Sequence, residues 1–181
     1  MLRADGAPVL GHAVKTPLCS LLLLFCCVSA AASAAAKDRA TRIAVDKSDR
    51  LMHVYAGERK IATYTIGLGT SPVGHKEREG DRRTPEGRYR LDFKKADSTF
   101  FKAIHISYPN AADRARAKQL GVRPGGDIMI HGESNNTAQR LAIRLLPSRD
   151  YTYGCIALSN EDMQRLWEQV TVVPIPIDIV P

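Results

Sequence analysis

A chain of 181 residues with 44% hydrophobic content is long enough for one domain plus extra segments and too apolar for disorder throughout. A formal net charge of +7 permits an anionic partner such as nucleic acid, lipid headgroups or cell-wall glycan. The cations are interleaved with acids, as in Lys76-Glu77-Arg78-Glu79 and Asp81-Arg82-Arg83, without zinc-finger spacing or an aromatic-interleaved basic stripe, so a solvated face is the reading and nucleic acid is disfavoured.

Residues 1–36 read as a secretory signal peptide rather than fold: Arg3 and Lys15 lead, Leu18 to Val28 is a short apolar core, and Ser29 to Ala36 offers small-x-small cleavage sites. An uncleaved anchor is the alternative, but the core is shorter than the ~20 residues that span a bilayer. Lipidation at Cys26 is disfavoured by the bulk of Phe25. The mature chain, 37–181, is then exported, meets a membrane only in transit, and retains one of four cysteines, Cys155. A lone thiol in an exported protein points to reactivity or to intermolecular pairing.

From Arg42 the pattern is of strands. Ile43, Val45, Leu51, Val54 and Tyr55 flank the polar turn Asp46 to Arg50, and Ile61, Tyr64 and Ile66 run to Gly67 and Gly69, which together predict a β-meander. His53 within it reads as a surface or packing residue. Ser71 to Arg83 is a charged loop punctuated by Gly and Pro, with His75 expected in solvent. The turn Thr84-Pro85-Glu86-Gly87 introduces a strand over Arg88 to Phe93, and Phe100 to Ser107 is another. Asn110 caps a helix from Ala111 to Leu120 that Gly121 ends. Asp127 to Gly132 is a short buried strand with His131 at its end, fed by the turn Val122 to Gly126.

A polar insert follows, carrying a basic helix over Thr137 to Leu146; standing between His131 and Cys155, it is expected to form a wall or lid of a site. Asp150 reads only as the start of a turn. Ser159 and Asp162 have the spacing of a capping box for a helix through Met163, Leu166, Trp167 and Val170, with Met163 and Trp167 in the core. Val172 to Val180 alternates prolines with isoleucines, which confines it to an edge strand. The expected fold is mainly β with a few helices.

Chemistry concentrates in Tyr151-Thr152-Tyr153-Gly154-Cys155-Ile156-Ala157-Leu158. Gly154 permits turn geometry that lifts the thiol from the core and aligns neighbouring N–H groups on an oxyanion. A Cys and a His brought together by folding make a nucleophile and its base; a buried Cys and an unrelated core His are the bland alternative.

Four segments in order, Thr84 to Gly87, Ile104 to Asn110, Gly125 to Gly132 and Thr152 to Leu158, resemble the L,D-transpeptidase (YkuD type) catalytic domain, which cross-links or trims bacterial peptidoglycan. The resemblance spans about Thr41 to Pro181 and implies a β-sandwich or barrel. Two departures stand out: Tyr153 occupies the place of a second motif His and Ala157 that of an Arg or Asn, and the interval of 24 residues from His131 to Cys155 is long for the family. Gly-Cys-Ile-Ala looks like a branch that includes enzymes trimming peptidoglycan or detaching proteins from it.

The resemblance implies that Cys155 attacks a stem-peptide carbonyl at the L-centre of a diamino acid, with His131 as base and the Gly132 carbonyl orienting its ring. A thioester forms, resolved by an amine in a transpeptidase or by water in a carboxypeptidase. Backbone N–H groups of Tyr153, Gly154 and Cys155 hold the oxyanion. His105, Thr152 and Arg149 are candidate substrate contacts, with Arg144 a weaker one. No cofactor or metal is expected. Partners are peptidoglycan stem peptides and, on the trimming reading, a wall-attached protein, in the periplasm. Rival readings are a non-catalytic wall-binding module, a papain-like peptidase (opposed by His preceding Cys) and a redox protein (opposed by the absence of a second Cys).

Overall fold

The computed structural model describes residues 38–181; the segment read as a signal peptide lies outside the described residues. Eight strands make one sheet in the order β3-β2-β1-β8-β4-β5-β6-β7. The meander is present: β1 (Arg42–Asp46), β2 (Leu51–Ala56) and β3 (Arg59–Thr65) pair antiparallel, and alternate residues Ile43, Val45, Met52 and Val54 are buried on one face. β4 (Gly87–Ser98) and β5 (Phe101–Ile106) form an antiparallel hairpin, and β6 (Met129–His131) pairs antiparallel with β5 and parallel with β7 (Ile156–Ala157). β4 is longer than its predicted Arg88 to Phe93 because a register shift between Leu91 and Lys94 lets the polar run that follows stay paired.

The ends of the sheet meet. Just past β3, Gly67 donates to the Ala157 carbonyl at 2.9 Å and accepts from the Ala157 N–H at 2.8 Å, and Gly69 bridges Thr152. The sheet therefore curls around its core, the half-barrel that the mainly β reading anticipates. Close approach needs glycine here: a Cβ on Gly67 would lie 2.0 Å from the Arg149 carbonyl oxygen.

The C-terminal segment is a correction. β8 (Ile175–Val180) is interior, parallel to β1 and antiparallel to β4. Pro176 is tolerated because it stands opposite Arg90, whose N–H and C=O both turn to Ser107 on the β5 side. The missing proline donor thus faces β1, where the ladder starts only at Ile177.

Three helices lie among the described residues. Asn110 caps α1 (Ala111–Gln119) in a reciprocal capping box with Asp113. α2 (Thr137–Arg144) buries none of its residues. α3 (Asn160–Gln169), capped by Ser159, packs Met163 and Leu166 into the core with Trp167 partly buried against it. At its C-terminal end Lys94 donates to the carbonyls of Trp167 (2.7 Å) and Val170 (2.6 Å), a cation placed at the negative end of the helix dipole. No helix among the described residues is long and apolar enough to cross a membrane.

The loop Ser71 to Arg83 is also corrected, from open to pinned. Lys47, 2% exposed, donates to the carbonyls of Gly74 and Thr84 and to Glu86 Oε1 (2.6 Å). Lys76, 3% exposed, pairs with Asp81 at 2.8 Å, and Asp81 also accepts the N–H groups of Glu77, Arg78 and Arg83. Burial pushes the Asp81 carboxyl up, but these donors outweigh it and hold it below its ordinary range. His75 is not in solvent: its Nδ1 accepts from the Glu86 N–H at 3.0 Å, so Nε2 carries the proton that faces Asp113 Oδ1 at 3.1 Å.

Candidate active site

Strand periodicity places the pair. In β6, Ile130 points into the core, so Met129 and His131 take the other face. β7 runs parallel with Ile130 opposite Ile156 and His131 opposite Ala157, so the residue before β7, Cys155, falls on the face of Met129 and His131. Both side chains line one cavity of about 440 Å³.

Gly154 at φ 128° sets the turn ahead of the thiol. A Cβ there would stand 2.6 Å from the Arg83 carbonyl oxygen, so the pinned loop and the cysteine turn are in contact only because the residue is glycine. Thr152, 6% exposed, ties the turn: its hydroxyl donates to the Cys155 carbonyl (2.7 Å) and accepts the Gly154 N–H (3.0 Å). Asp150 does more than begin a turn; it accepts from Arg50 at 2.8 Å and from the Leu68 N–H at 2.9 Å, fixing this segment to the β1–β2 turn and to the strand extension.

His131 is 6% exposed, and its Nδ1 lies 2.7 Å from the Gly132 carbonyl oxygen. A carbonyl only accepts, so Nδ1 carries the proton and Nε2 is the basic nitrogen. Phe100 packs against the ring with centroids 4.7 Å apart. Burial pushes the imidazole pKa down, partly offset by the Gly132 bond. The Cys155 thiol is pushed up by burial and by Asp127, and drawn down by the Met129 N–H, which donates to Sγ at 3.4 Å, and by Lys76. Both shifts favour a neutral thiol and a neutral imidazole in the shared cavity.

The remaining candidates separate. Tyr153, 73% exposed, lines the cavity and carries the Arg82 guanidinium 5.2 Å above its ring. The Gly154 N–H is taken by Thr152, and the Gly132 N–H donates to the carbonyls of Phe100 (3.1 Å) and Lys102 (3.2 Å). Neither donor is open to an oxyanion as the structure stands, whereas the Gly132 carbonyl does meet His131. Thr152 spends its hydroxyl within the turn. His105 pairs with Asp92 at 2.7 Å and stacks on Phe93 at 4.5 Å, away from the lining of the cavity. Arg149 lines a neighbouring cavity, and Arg144 is held by both oxygens of Glu133. Sequence reasoning missed the β4–β5 turn at Ser98 to Phe100, which walls the cavity; its only signal was the break between two strands. The polar insert meets expectation, with Gln139, Ile143 and Leu146 on the wall. Among the described residues no group of three or more His, Cys, Asp or Glu side chains is placed to hold a metal ion.

A curled sheet that delivers a Cys and a His to one cavity defines a class, and comparison with known proteins gives the family. The model of the L,D-transpeptidase catalytic domain, YkuD, matches residues 40–179, and the chain belongs to this family. YafK of Escherichia coli (strain K12) is 31% identical over 140 residues, covering 71% of this chain and 46% of YafK. Among solved structures, the helical cell shape determining protein Pgp2 of Campylobacter jejuni superposes with a TM-score of 0.61 at 28% identity, over 78% of this chain and 48% of Pgp2. An L,D-transpeptidase of Xylanimonas cellulosilytica (residues 123–326) shares the fold at a TM-score of 0.51 and 14% identity, over 79% of this chain and 61% of that one. The chain spans about half the length of YafK and Pgp2.

Proposed function

We propose that this domain is a cysteine acyltransferase acting on peptidoglycan stem peptides in the cell envelope, with Cys155 as nucleophile and His131 as its base. The observation that carries the reading is the shared cavity: Cys155 Sγ and a His131 ring whose Nδ1–H is committed to Gly132 open onto one space, leaving Nε2 to take the thiol proton. Sulfur attacks the carbonyl of the L-centre, the C–N bond to the terminal D-residue breaks, and His131 returns the proton to the departing amine. A thioester remains for an amine acceptor or water. Pgp2 determines helical cell shape in its own organism, which supports a wall-remodelling role here. Export by the N-terminal segment accords with such a substrate.

Tyr153 in place of a second histidine favours a further reading, in which water resolves the thioester and the stem is trimmed, or a wall-attached protein is released. Mass spectrometry of the purified protein with tetrapeptide muropeptides, beside Cys155→Ala, separates the outcomes. Cross-linked dimers that need Cys155 identify a transpeptidase, and tripeptides without dimers a carboxypeptidase. No product and no thioester from a folded protein would leave a wall-binding module.

A further inference from the structure

Lys94 and Lys95 follow one another in β4, and strand alternation sends them to opposite faces of the sheet. Lys94 is committed to the carbonyls of Trp167 and Val170 at the end of α3. Lys95 lines the Cys155 cavity instead. Strand register fixes its place relative to the reacting pair. Lys95 stands opposite Ala103 on β5, and Ala103 opposite His131 on β6, so the three form one cross-strand row. Two strand spacings, ~10 Å of backbone, separate Lys95 from His131. All three residues line the cavity, and the alanine between the two longer side chains leaves room for a small group.

The lining holds no acid, and with His131 held toward its neutral form Lys95 is its one cation. Among the described residues no hydrogen bond or ion pair occupies the Lys95 ammonium. Its three N–H donors are therefore open to an anion that enters the cavity. A tetrapeptide stem carries such an anion one residue beyond the scissile carbonyl, as the carboxylate of its terminal D-residue.

We propose that Lys95 is a specificity residue whose ammonium pairs with the terminal carboxylate of the D-residue that the reaction expels. The inference rests on the acyl-transfer reading above for its substrate. With the scissile carbonyl at Cys155 and His131, the carboxylate lies over Ala103, where the lysine stem reaches it. A stem that is blocked at its terminus offers no carboxylate there.

Cys155 supplies the probe. Iodoacetate and iodoacetamide alkylate the same thiolate and differ in charge, so the ratio of their rates cancels any change in thiol reactivity and reads the charge of the cavity. Lys95→Met is expected to lower the iodoacetate-to-iodoacetamide ratio about threefold, the effect of one partly solvated charge, and Lys95→Arg to restore it. Single-turnover acylation by a tetrapeptide muropeptide and by its C-terminal amide, followed by mass spectrometry, then assigns the anion. Wild type is expected to prefer the free acid, and Lys95→Met to lose that preference through weaker half-saturation rather than a slower limiting rate. An unchanged alkylation ratio overturns the inference. So does a wild type that acylates acid and amide alike, or a variant that slows equally on both, which marks a structural role. Acylation of neither peptide by wild type overturns the assignment together with the acyl-transfer reading. That failure is told apart from the first because the alkylation ratio still responds to Lys95.

Discussion

At the scale of single residues, both candidate side chains in the cavity, Cys155 and His131, are held toward their neutral forms. Burial is the leading cause on both sides, lifting the Cys155 thiol above its ordinary 9.0 and lowering His131 below its ordinary 6.5. An imidazolium–thiolate pair would show the opposite shifts. Iodoacetamide alkylation should therefore climb with pH through one inflection above 9.0, with no plateau between pH 6 and 8. A plateau with an acid-side inflection would mean a preformed ion pair. His131 carries a linked stability effect: its folded pKa lies below its unfolded one, so the unfolded chain binds the extra proton. The contribution is complete above 6.5 and is lost as pH falls from there through the folded value. Cys155 and His131 were legible from residue type and neighbouring glycines. The turn-tying bonds of Thr152, read in the sequence as a substrate contact, and those of Asp150 were not, because they depend on which backbone groups fold within reach.

Elements show how a charged loop becomes part of the site. The segment from Ser71 to Glu86 resembles solvent-exposed chain by composition, yet Lys47 is nearly sealed beneath it. Burial lowers the Lys47 pKa and Glu86 raises it. Lys47→Met would leave Glu86 and two carbonyls without their cation, and stripping one partner from a buried pair costs ~3–5 kcal/mol. With Glu86 still 18% exposed, the expected loss is about 3 kcal/mol, read as a lower urea midpoint. An unchanged midpoint would mean that water replaces the ammonium without loss. α2 presents the contrasting case, with Leu141 and Leu145 exposed and nothing buried. Leu145→Ser, at 85% exposure, should leave stability within about 0.5 kcal/mol in the same titration. A larger drop would show that the helix supports the core.

For the whole molecule, the decisive feature is the seam where the strand extension past β3 meets β7. It joins the first and last strands of the sheet, and the segment from Arg149 to Cys155 crosses beside it. If the seam is part of the cooperative core, the Gly67 and Ala157 amides should exchange with solvent as slowly as those of β1. Fast exchange at Gly67 beside a protected β1 would show a sheet that opens next to Cys155. The interior position of β8 belongs to this scale as well, since it links the N-terminal meander to the β4–β5 hairpin.

The sequence by itself determined the elements whose cause is local: the β-meander from alternating Ile and Val, the α1 cap from Asn110 and Asp113, the α3 cap from Ser159, and a Cys and a His each next to glycine. It also carried the family, in four ordered segments. Only the tertiary structure decided which groups meet across the chain. Pro176 read as an edge residue because a missing donor is visible locally, whereas the direction in which that donor would point depends on β4 turning Arg90 toward β5. His75 read as solvent-exposed and Lys47 as part of a polar turn because charge is local, whereas their partners Asp113 and Glu86 lie 38 and 39 residues away. Long-range partners set burial and hydrogen bonding, and these no single stretch of sequence contains.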